Sequence, residues 1–547
     1  MDQERERKRP FFSIVLAAAV IALFLYLIVR TSLFVLADYA WYEKSVGLLL
    51  LCAELFIMLH ALGYFMNLYH VKNRQSAQRQ ISLDQVPELN GYPPVAIIVS
   101  SFKEPLDILE NTLICFYNLT YPNKYVYFLD DTRYDRPGDD PEQMRCYREQ
   151  IDTLCERIGV NLFRRSWRGA KAGMINDFLD FIAGHPKPGF TFQSFDESFL
   201  NKREQEKYII VFDADMNPLP DFVDPLVAFM EDNPKLAFIQ TPQYYTNFET
   251  NRVARASGLQ QAVFYEYICE GKSEQDAMFC CGTNVIFRRA ALMDVGGFDE
   301  SSVTEDFATS LKFHARGWSS AYLNKVCAFG MGPEDLGAYF KQQFRWALGT
   351  VGLFRAIVGA FIRNPRMLSA AKWWEYFLSS THYFIGWALL IMITTPVIYL
   401  FFETPSYFVY PEIYILFFLP YFILTMTLFI YSMSQRDYGF KELGSGIVLQ
   451  AITLPVYLRA SLLAIIGVKG TFGITPKGGS TSLPLIKLWP QISLAALCVG
   501  AIGWGISRLY FEQDAIWAVT VNMVWCVYHA TLLSAVIYFN HPEEDQV

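Results

Sequence analysis

The sequence predicts an α/β domain inserted between transmembrane α-helices. Three observations carry the prediction. Apolar runs long enough to cross a bilayer lie near both ends of the 547-residue chain, and none lies between about residues 91 and 345. Within that gap, apolar β-branched runs end in acidic or hydroxyl residues, the pattern of buried parallel strands whose carboxyl ends bind ligands. The composition is mixed as well: 52% hydrophobic and 16% aromatic, with a mean hydropathy of +0.19, yet 18% charged. Such a chain is too apolar for an ordinary soluble enzyme and too charged to lie wholly in lipid.

The first apolar run, FFSIVLAAAVIALFLYLI, covers 11–28, and a second covers 46–69. Each can span a hydrocarbon core of roughly 30 Å. Arg5, Arg7, Lys8 and Arg9 precede the first and favour a cytosolic N-terminus. No small-residue cleavage site follows it, so it reads as a retained span and not a signal peptide. Lys72, Arg74 and Arg79 then return the chain to the cytosol. Four more spans are expected at 381–402, 409–432, 487–508 and 516–539. The stretch 444–467 contains Gln450, Pro455 and Arg459. A mid-membrane Arg is costly, so this stretch is expected along the cytosolic face as an interfacial helix. Six spans result, with both termini and the α/β domain inside, a layout that suits a bacterial inner or plasma membrane.

Between the spans, VAIIVSSFKEP (95–105), YVYFLDDT (125–132) and YIIVFDADMNP (208–218) read as parallel strands. Residues 105–118 and 141–157 read as helices, and 186–207 as an inserted loop. The net charge of −8 and the lack of a long basic run argue against nucleic-acid binding. The ten Cys show no CxxC spacing and the seven His no HExxH, so reduced thiols and no structural zinc are expected.

Several short motifs carry candidate chemistry. Asp213 and Asp215, in DAD, could share a divalent cation with substrate phosphates, or simply form a turn after a strand. Asp306, in TEDF, could act as a general base on an acceptor hydroxyl. Thr304, Glu305 and Asp306 are also good chemistry for a first helical turn, and both readings are compatible. Asp130 and Asp131 form a third acidic site. Lys171, in RRSWRGAKAGMIND, could approach a phosphate closely or start a helix. FCCGTNVIFRR (279–289) and GGFDE (296–300) look like strand and turn elements beside the same site, or plain packing. QQFRWALGT (342–350) is either an interfacial anchor or a binding platform just before the membrane.

In order, strand–KEP, DDT, AKAG, DAD, FCCGT, TED and QQFRW resemble the cellulose-synthase-like, processive family 2 glycosyltransferases. The resemblance runs from about 95 to 540 and includes FGITPKGG (472–479), similar to the family's FxVTxK gating loop. It implies a GT-A fold and inverting transfer from a UDP-sugar to a growing polysaccharide, with Mg²⁺ or Mn²⁺. By motif, Ser101, Glu104 and Asp130 should contact uridine. Lys171 should lie near the phosphates and Asp213 face the nucleotide. Asp215, with Asp213, should ligate the metal. Asp306 is similar to the family's catalytic base, with Thr304 and Glu305 in the same turn. Arg345 should contact the diphosphate and Trp346 stack on the acceptor, with Gln342 and Gln343 as polar positioning groups. Cys281 and Gly282 should line the acceptor side, and Phe472, Thr475 and Lys477 should come from the gating loop. The resemblance divides the chain into two N-terminal spans (1–90), a cytosolic GT-A domain (91–345), and interfacial helices, gating loop (470–480) and four spans forming a channel (346–547).

UDP-glucose is the favoured donor, because the FxITPK loop points to glucan synthesis. The product could be a β-1,4-, β-1,3- or mixed-linkage glucan. Alternatives are a hyaluronan- or chitin-type synthase using UDP-GlcNAc, a non-processive lipid glycosyltransferase, and an inactive scaffold. Trp373, Trp374, Tyr376 and Tyr383 are candidate channel-lining residues or members of an interfacial belt. The sequence departs from the family at Met216, where many cellulose synthases have His, and at Pro476 inside the loop motif. Only HPEEDQV follows the last apolar stretch, so no C-terminal cyclic-di-GMP-binding domain is expected in this sequence, and accessory secretion subunits are left open.

Overall fold

The computed structural model describes residues 2–73, 86–168, 170–202, 204–407, 411–468, 470, 481–511 and 516–541. Two long helices come first, α1 (Asp2–Leu36) and α2 (Trp41–Lys72). The α/β part follows as β1 (Val95–Ser101), α3 (Leu106–Tyr117), β2 (Lys124–Asp130), α4 (Pro141–Ile158), β3 (Asn161–Arg164) and α5 (Lys171–Ile182). Next come β4 (Thr191–Gln193), β5 (Tyr208–Asp213), β6 (Asn217–Pro218), α6 (Val223–Asp232), β7 (Leu236–Gln240), β8 (Tyr244–Tyr245), α7 (Arg252–Val263) and α8 (Glu270–Glu274). It closes with β9 (Val285–Arg288), α9 (Arg289–Asp294), α10 (Glu305–Ala315), β10 (Ser319–Tyr322) and β11 (Ala328–Gly330). The remaining helices are α11 (Leu336–Arg363), α12 (Ala370–Thr381), α13 (Ile385–Phe402), α14 (Pro411–Ser434), α15 (Phe440–Ile452), α16 (Leu454–Ile466), α17 (Trp489–Phe511) and α18 (Ile516–Asn540).

Eight strands form one sheet in the order β10-β7-β9-β5-β1-β2-β3-β4. Strands β1, β2 and β5 are parallel, as their sequences lead one to expect, and β3, which the sequence reading did not single out, adds a fourth parallel strand beside β2. The sheet is nevertheless mixed, because β9 runs antiparallel to both β5 and β7. The segment 186–207 is not a bare loop: it contributes the edge strand β4, antiparallel to β3. Burial follows the two-residue period of a strand. Val95, Ile97 and Val99 of β1 enter one core with α3, α4 and α6, while Ala96 and Ile98 enter the core on the opposite face with α5. Helices on both faces explain why β1 and β5 are nearly continuous apolar runs.

Seven described helical segments are long and apolar enough to cross a membrane, and the protein is a multi-pass membrane protein. Five of them contain the expected stretches 11–28, 46–69, 381–402, 487–508 and 516–539, and Glu412–Ser434 covers the expected 409–432 from residue 412 on. The seventh is Leu336–Arg363, which carries QQFRW and runs unbroken across the 345/346 boundary. The 444–467 stretch is not one straight helix. It lies in α15 and α16, bent by 49°, which count together as an eighth candidate span if joined. The break falls at Thr453, just before Pro455, whose ring supplies no N–H to a continuous helix. Tyr457 and Ala460 of α16 are fully buried against α11, and the Arg459 guanidinium lies over the Phe344 ring, 5.5 Å from its centre.

The α/β part is docked on the membrane helices by a buried polar joint. Lys272 of α8 forms an ion pair with Glu375 of α12 and donates to Ser379 Oγ at 2.9 Å. Gln275 donates to both Glu375 and Asn67 of α2 at 3.2 Å.

Candidate active site

Parallel pairing brings three strand ends to one edge. Ser101 is the register partner of Asp130, and Ser100 that of Asp213. The N–H of Asp213 donates to Thr283 Oγ1 at 2.9 Å. Lys171, the first residue of α5, reaches across to the Asp213 carboxylate and to the Gly282 carbonyl at 2.8 Å. Gly282 has φ +86, and a Cβ there would stand 2.8 Å from Asp306 Oδ2. Only glycine lets this backbone pass so close to the carboxylate. Lys171, Asp213, Gly282 and Asp306 thus converge from four separate segments.

The electrostatics follow from this geometry. Burial works against the Lys171 ammonium, but Asp213, Glu305 and Asp306 outweigh it and hold its pKa above the ordinary lysine value. Burial pushes the Asp306 carboxyl up to about 6, opposed by the Phe307 N–H and Lys171. Burial, then Asp306 next door, push Glu305 up to about 7, opposed by Lys171 and Arg345. Two acids raised above the carboxylate range beside one lysine suit proton transfer near neutral pH.

Helix α11 supplies the other wall. Gln342, Arg345, Trp346 and Gly349 lie at i, i+3, i+4 and i+7 and therefore share one face. Gly349 abuts Thr304: a Cβ there would lie 2.5 Å from Thr304 Cγ2. Gln342 Oε1 is a buried acceptor with no hydrogen-bonding partner among the described residues. Gln343 is turned the other way. It is buried and accepts from Tyr457 Oη at 3.0 Å, which places it in the α11–α16 packing and not on the face shared by its neighbours.

On the far side, the buried Asp130 carboxylate accepts from Tyr134 Oη and Arg164 Nε, both at 2.6 Å, and from Thr132 N at 3.1 Å. Ser101 Oγ is buried without a partner among the described residues. Glu104 is half-buried, and its carbonyl accepts from Tyr147 Oη at 2.8 Å. Burial pushes Asp131 up to about 7 despite Arg165, 3.0 Å away. The Cys281 N–H donates to Gln240 Oε1 at 2.8 Å. A hydrogen bond with Cys269, then burial, push the Cys281 thiol well up, so it is no thiolate. Phe472, Thr475 and Lys477 lie outside the described residues.

Sequence reasoning missed Thr283, Gln240, Tyr134 and Arg164. Gln240 had a signal, as the one polar residue ending the apolar run LAFIQ. It donates to the carbonyls of Thr241 and Thr283 at 2.8 and 2.7 Å and so braces the segment carrying Gly282.

No group of three His, Cys, Asp or Glu among the described residues could hold a metal alone. A Mg²⁺-type ion needs less, because it takes one or two carboxylates and completes its shell with substrate phosphates and water. The half-buried Asp213 and Asp215 fit that demand. Met216 contributes nothing: it is buried, and its sulfur packs against Gly330 and lies 3.8 Å from Asn284 Nδ2.

This fold and site define a class: a membrane-anchored α/β domain with a mixed eight-stranded sheet and a DAD sequence closing a central strand. The family model described as Glycosyl transferase family group 2 matches residues 208–432. The cellulose synthase catalytic subunit (UDP-forming) of Pseudomonas fluorescens strain SBW25 is 27% identical over 91% of this chain and 62% of its own length. Cellulose synthase 1 of Komagataeibacter xylinus is 26% identical over 91% of this chain and 30% of its own length. The chain thus spans less than two thirds of the length of these relatives. Among solved structures, a mannosyltransferase from Pyrobaculum calidifontis in complex with GDP-Man and Mn²⁺ aligns with a TM-score of 0.47 and 15% identity, over 76% of this chain and 99% of that one. Residues 208–432 thus match a glycosyltransferase family model, and the chain is similar to cellulose synthase catalytic subunits over 91% of its length.

Proposed function

We propose that the protein polymerises a UDP-sugar, UDP-glucose before others, into a β-glucan by inverting transfer. The polymer would leave through the protein's own membrane helices, with the α/β domain on the cytosolic side. The observation that carries this reading is the convergence of Lys171, Asp213 and Asp306 around Gly282, walled by the Gln342–Arg345–Trp346 face of α11.

The acceptor hydroxyl attacks the anomeric carbon of the donor as the bond to the UDP oxygen breaks, and Asp306 takes the hydroxyl proton. On this reading Lys171 and Arg345 face the negative charge gathering on the departing diphosphate. A divalent cation held by Asp215, with Asp213 beside it, would supply Lewis-acid stabilisation of the same leaving group. Trp346 offers the sugar chain an aromatic platform that tolerates sliding.

Export draws support from a cavity of about 170 Å³ between the membrane helices, lined by Tyr399, Tyr407, Tyr414, Asn522, Trp525 and His529 among others. His529 Nδ1 is buried there without a partner among the described residues. Aromatic faces beside an unpaired hydrogen-bonding group suit a hydroxylated ring. Of the residues first considered for a channel, Trp373 and Tyr376 are buried in packing. Trp373 donates to the Pro365 carbonyl at 2.8 Å, and Tyr376 Oη bonds His314 Nδ1 at 2.8 Å. Tyr383 packs on Tyr457.

The test uses the purified protein in lipid, with UDP-glucose and UDP-GlcNAc supplied separately. UDP release is followed, and any polymer is digested with linkage-specific hydrolases. High-molecular-weight glucan from UDP-glucose is expected. Polymer from UDP-GlcNAc alone would replace the substrate, and short glycolipid would remove processivity.

A further inference from the structure

The helix bearing Lys171 and the helix bearing Asp306 both hold one short segment, residues 297–301. From α5, Asn176 Nδ2 donates to the Phe298 carbonyl at 3.0 Å and to Glu300 Oε1 at 2.8 Å. Its Oδ1 accepts from Phe298 N at 2.7 Å. One amide side chain therefore uses both backbone groups of Phe298, as a neighbouring strand would. The segment is shaped for this grip. Gly297 has φ +79, and its missing side chain would begin where the Asn176 amide lies. Arg168 braces the same end, donating to Glu300 Oε2 at 2.8 Å.

From α10, Thr309 Oγ1 accepts from Asp299 N at 2.9 Å and donates to the Glu305 carbonyl at 2.5 Å. Lys312 pairs with Asp299 at 2.9 Å. The hydroxyl that holds the segment thus also holds the backbone of the residue before Asp306. Neither Asn176 nor Thr309 belongs to the group of side chains around Gly282.

We propose that Asn176 is a positioning residue for sugar transfer, holding the Lys171 helix and the Asp306 helix at one separation through residues 297–301. The inference rests on the function proposed above and adds to it a requirement of geometry. Lys171 faces the departing diphosphate and Asp306 the incoming hydroxyl, so the distance between them is a property of the transition state. Loosening the joint leaves each group able to bind its own ligand and misplaces the pair, which costs turnover more than binding.

The experiment compares Asn176→Ala, Thr309→Val and the double variant with wild type. UDP affinity and stoichiometry are measured by calorimetry, and UDP release is expressed per UDP-binding site. A merely structural role would lower the number of sites and leave each one as fast as before. The joint predicts UDP Kd within about threefold of wild type and turnover per site about tenfold lower or worse in each single variant. It also predicts a double variant no worse than the weaker single, because both changes break one connection. Turnover per site within about twofold of wild type, losses that track UDP affinity, or effects that multiply in the double variant would each overturn the joint. If Asn176→Ala yields no UDP-binding protein, the nearly isosteric Thr309→Val decides alone. A wild type that binds UDP but transfers no sugar overturns the function itself, whereas an active wild type matched by its variants overturns only the joint.

Discussion

Gly349 of α11 and Thr304 at the start of α10 stand so close that a single methyl group at 349 would lie 2.5 Å from Thr304 Cγ2 and 2.9 Å from its Oγ1. This contact joins the helix of Arg345 and Trp346 to the turn that carries Glu305 and Asp306. Gly349→Ala is therefore expected to push the two apart, with at least about a tenfold loss of turnover and about 1–3 kcal/mol of stability. Gly352, one turn along α11, has open space around its Cβ position. Gly352→Ala is expected to keep activity and gain about 0.5–1 kcal/mol from helix propensity. UDP release and thermal unfolding in detergent measure both. Equal behaviour of the two variants would show that the Gly349 contact is not what sets the site.

The acid limb of kcat/KM is expected near pH 6. A general base works deprotonated, and burial holds the Asp306 carboxyl near 6 in the free protein. As pH falls through that value the base gains its proton, and kcat/KM should drop about tenfold per pH unit below it. Asp306→Asn should remove transfer by about a hundredfold or more while leaving UDP binding within a few fold. An acid limb near pH 4, where an exposed carboxylate titrates, would mean that some other group limits the rate.

Much of this site is legible in the sequence, for physical reasons. Ser101, Asp130 and Asp213 stand at the ends of buried strands, and apolar runs that stop in polar residues reveal such ends. The direction of β9 is not legible, because VIFR reads the same parallel or antiparallel and its connection decides the matter. Gln342 and Gln343 look equivalent in a string of letters. The helical period separates them, and the partner of Gln343 is Tyr457, 114 positions away. The same distance problem hides Asn176, whose contacts lie 122 and 124 residues along the chain. Local patterns show where chemistry-bearing residues end up along an element, and only the fold shows which elements hold them.

A divalent-cation requirement is expected to run through Asp215 more than Asp213. Asp213 already accepts from Lys171, so its carboxylate serves two cations at best. Chelation with EDTA should stop sugar transfer, and Mg²⁺ or Mn²⁺ should restore it. Asp215→Asn is expected to raise the half-saturating Mn²⁺ concentration at least about tenfold, the loss of roughly one charged ligand interaction. Asp213→Asn should act chiefly on the KM for the UDP-sugar. Activity titrated with Mn²⁺ at fixed donor, then with donor at fixed Mn²⁺, separates the two. Identical Mn²⁺ curves for both variants would remove the distinction.

The Lys272–Glu375 pair is one buried tie between the α/β part and its membrane helices. Both side chains are almost completely buried, and each is a charge that water no longer solvates. Removing one partner leaves the other unpaired, at a cost of about 3–5 kcal/mol, whereas replacing both by apolar groups of similar size removes the desolvation penalty along with the attraction. Lys272→Met is therefore expected to lower the unfolding temperature sharply. The double variant Lys272→Met, Glu375→Met should recover most of the loss, short of what Gln275 and Ser379 lose as partners of the pair. Differential scanning fluorimetry in detergent reads the difference directly. Additive destabilisation, with the double variant the least stable of the three, would show that the two charges act independently and that the docking depends on the surrounding packing instead.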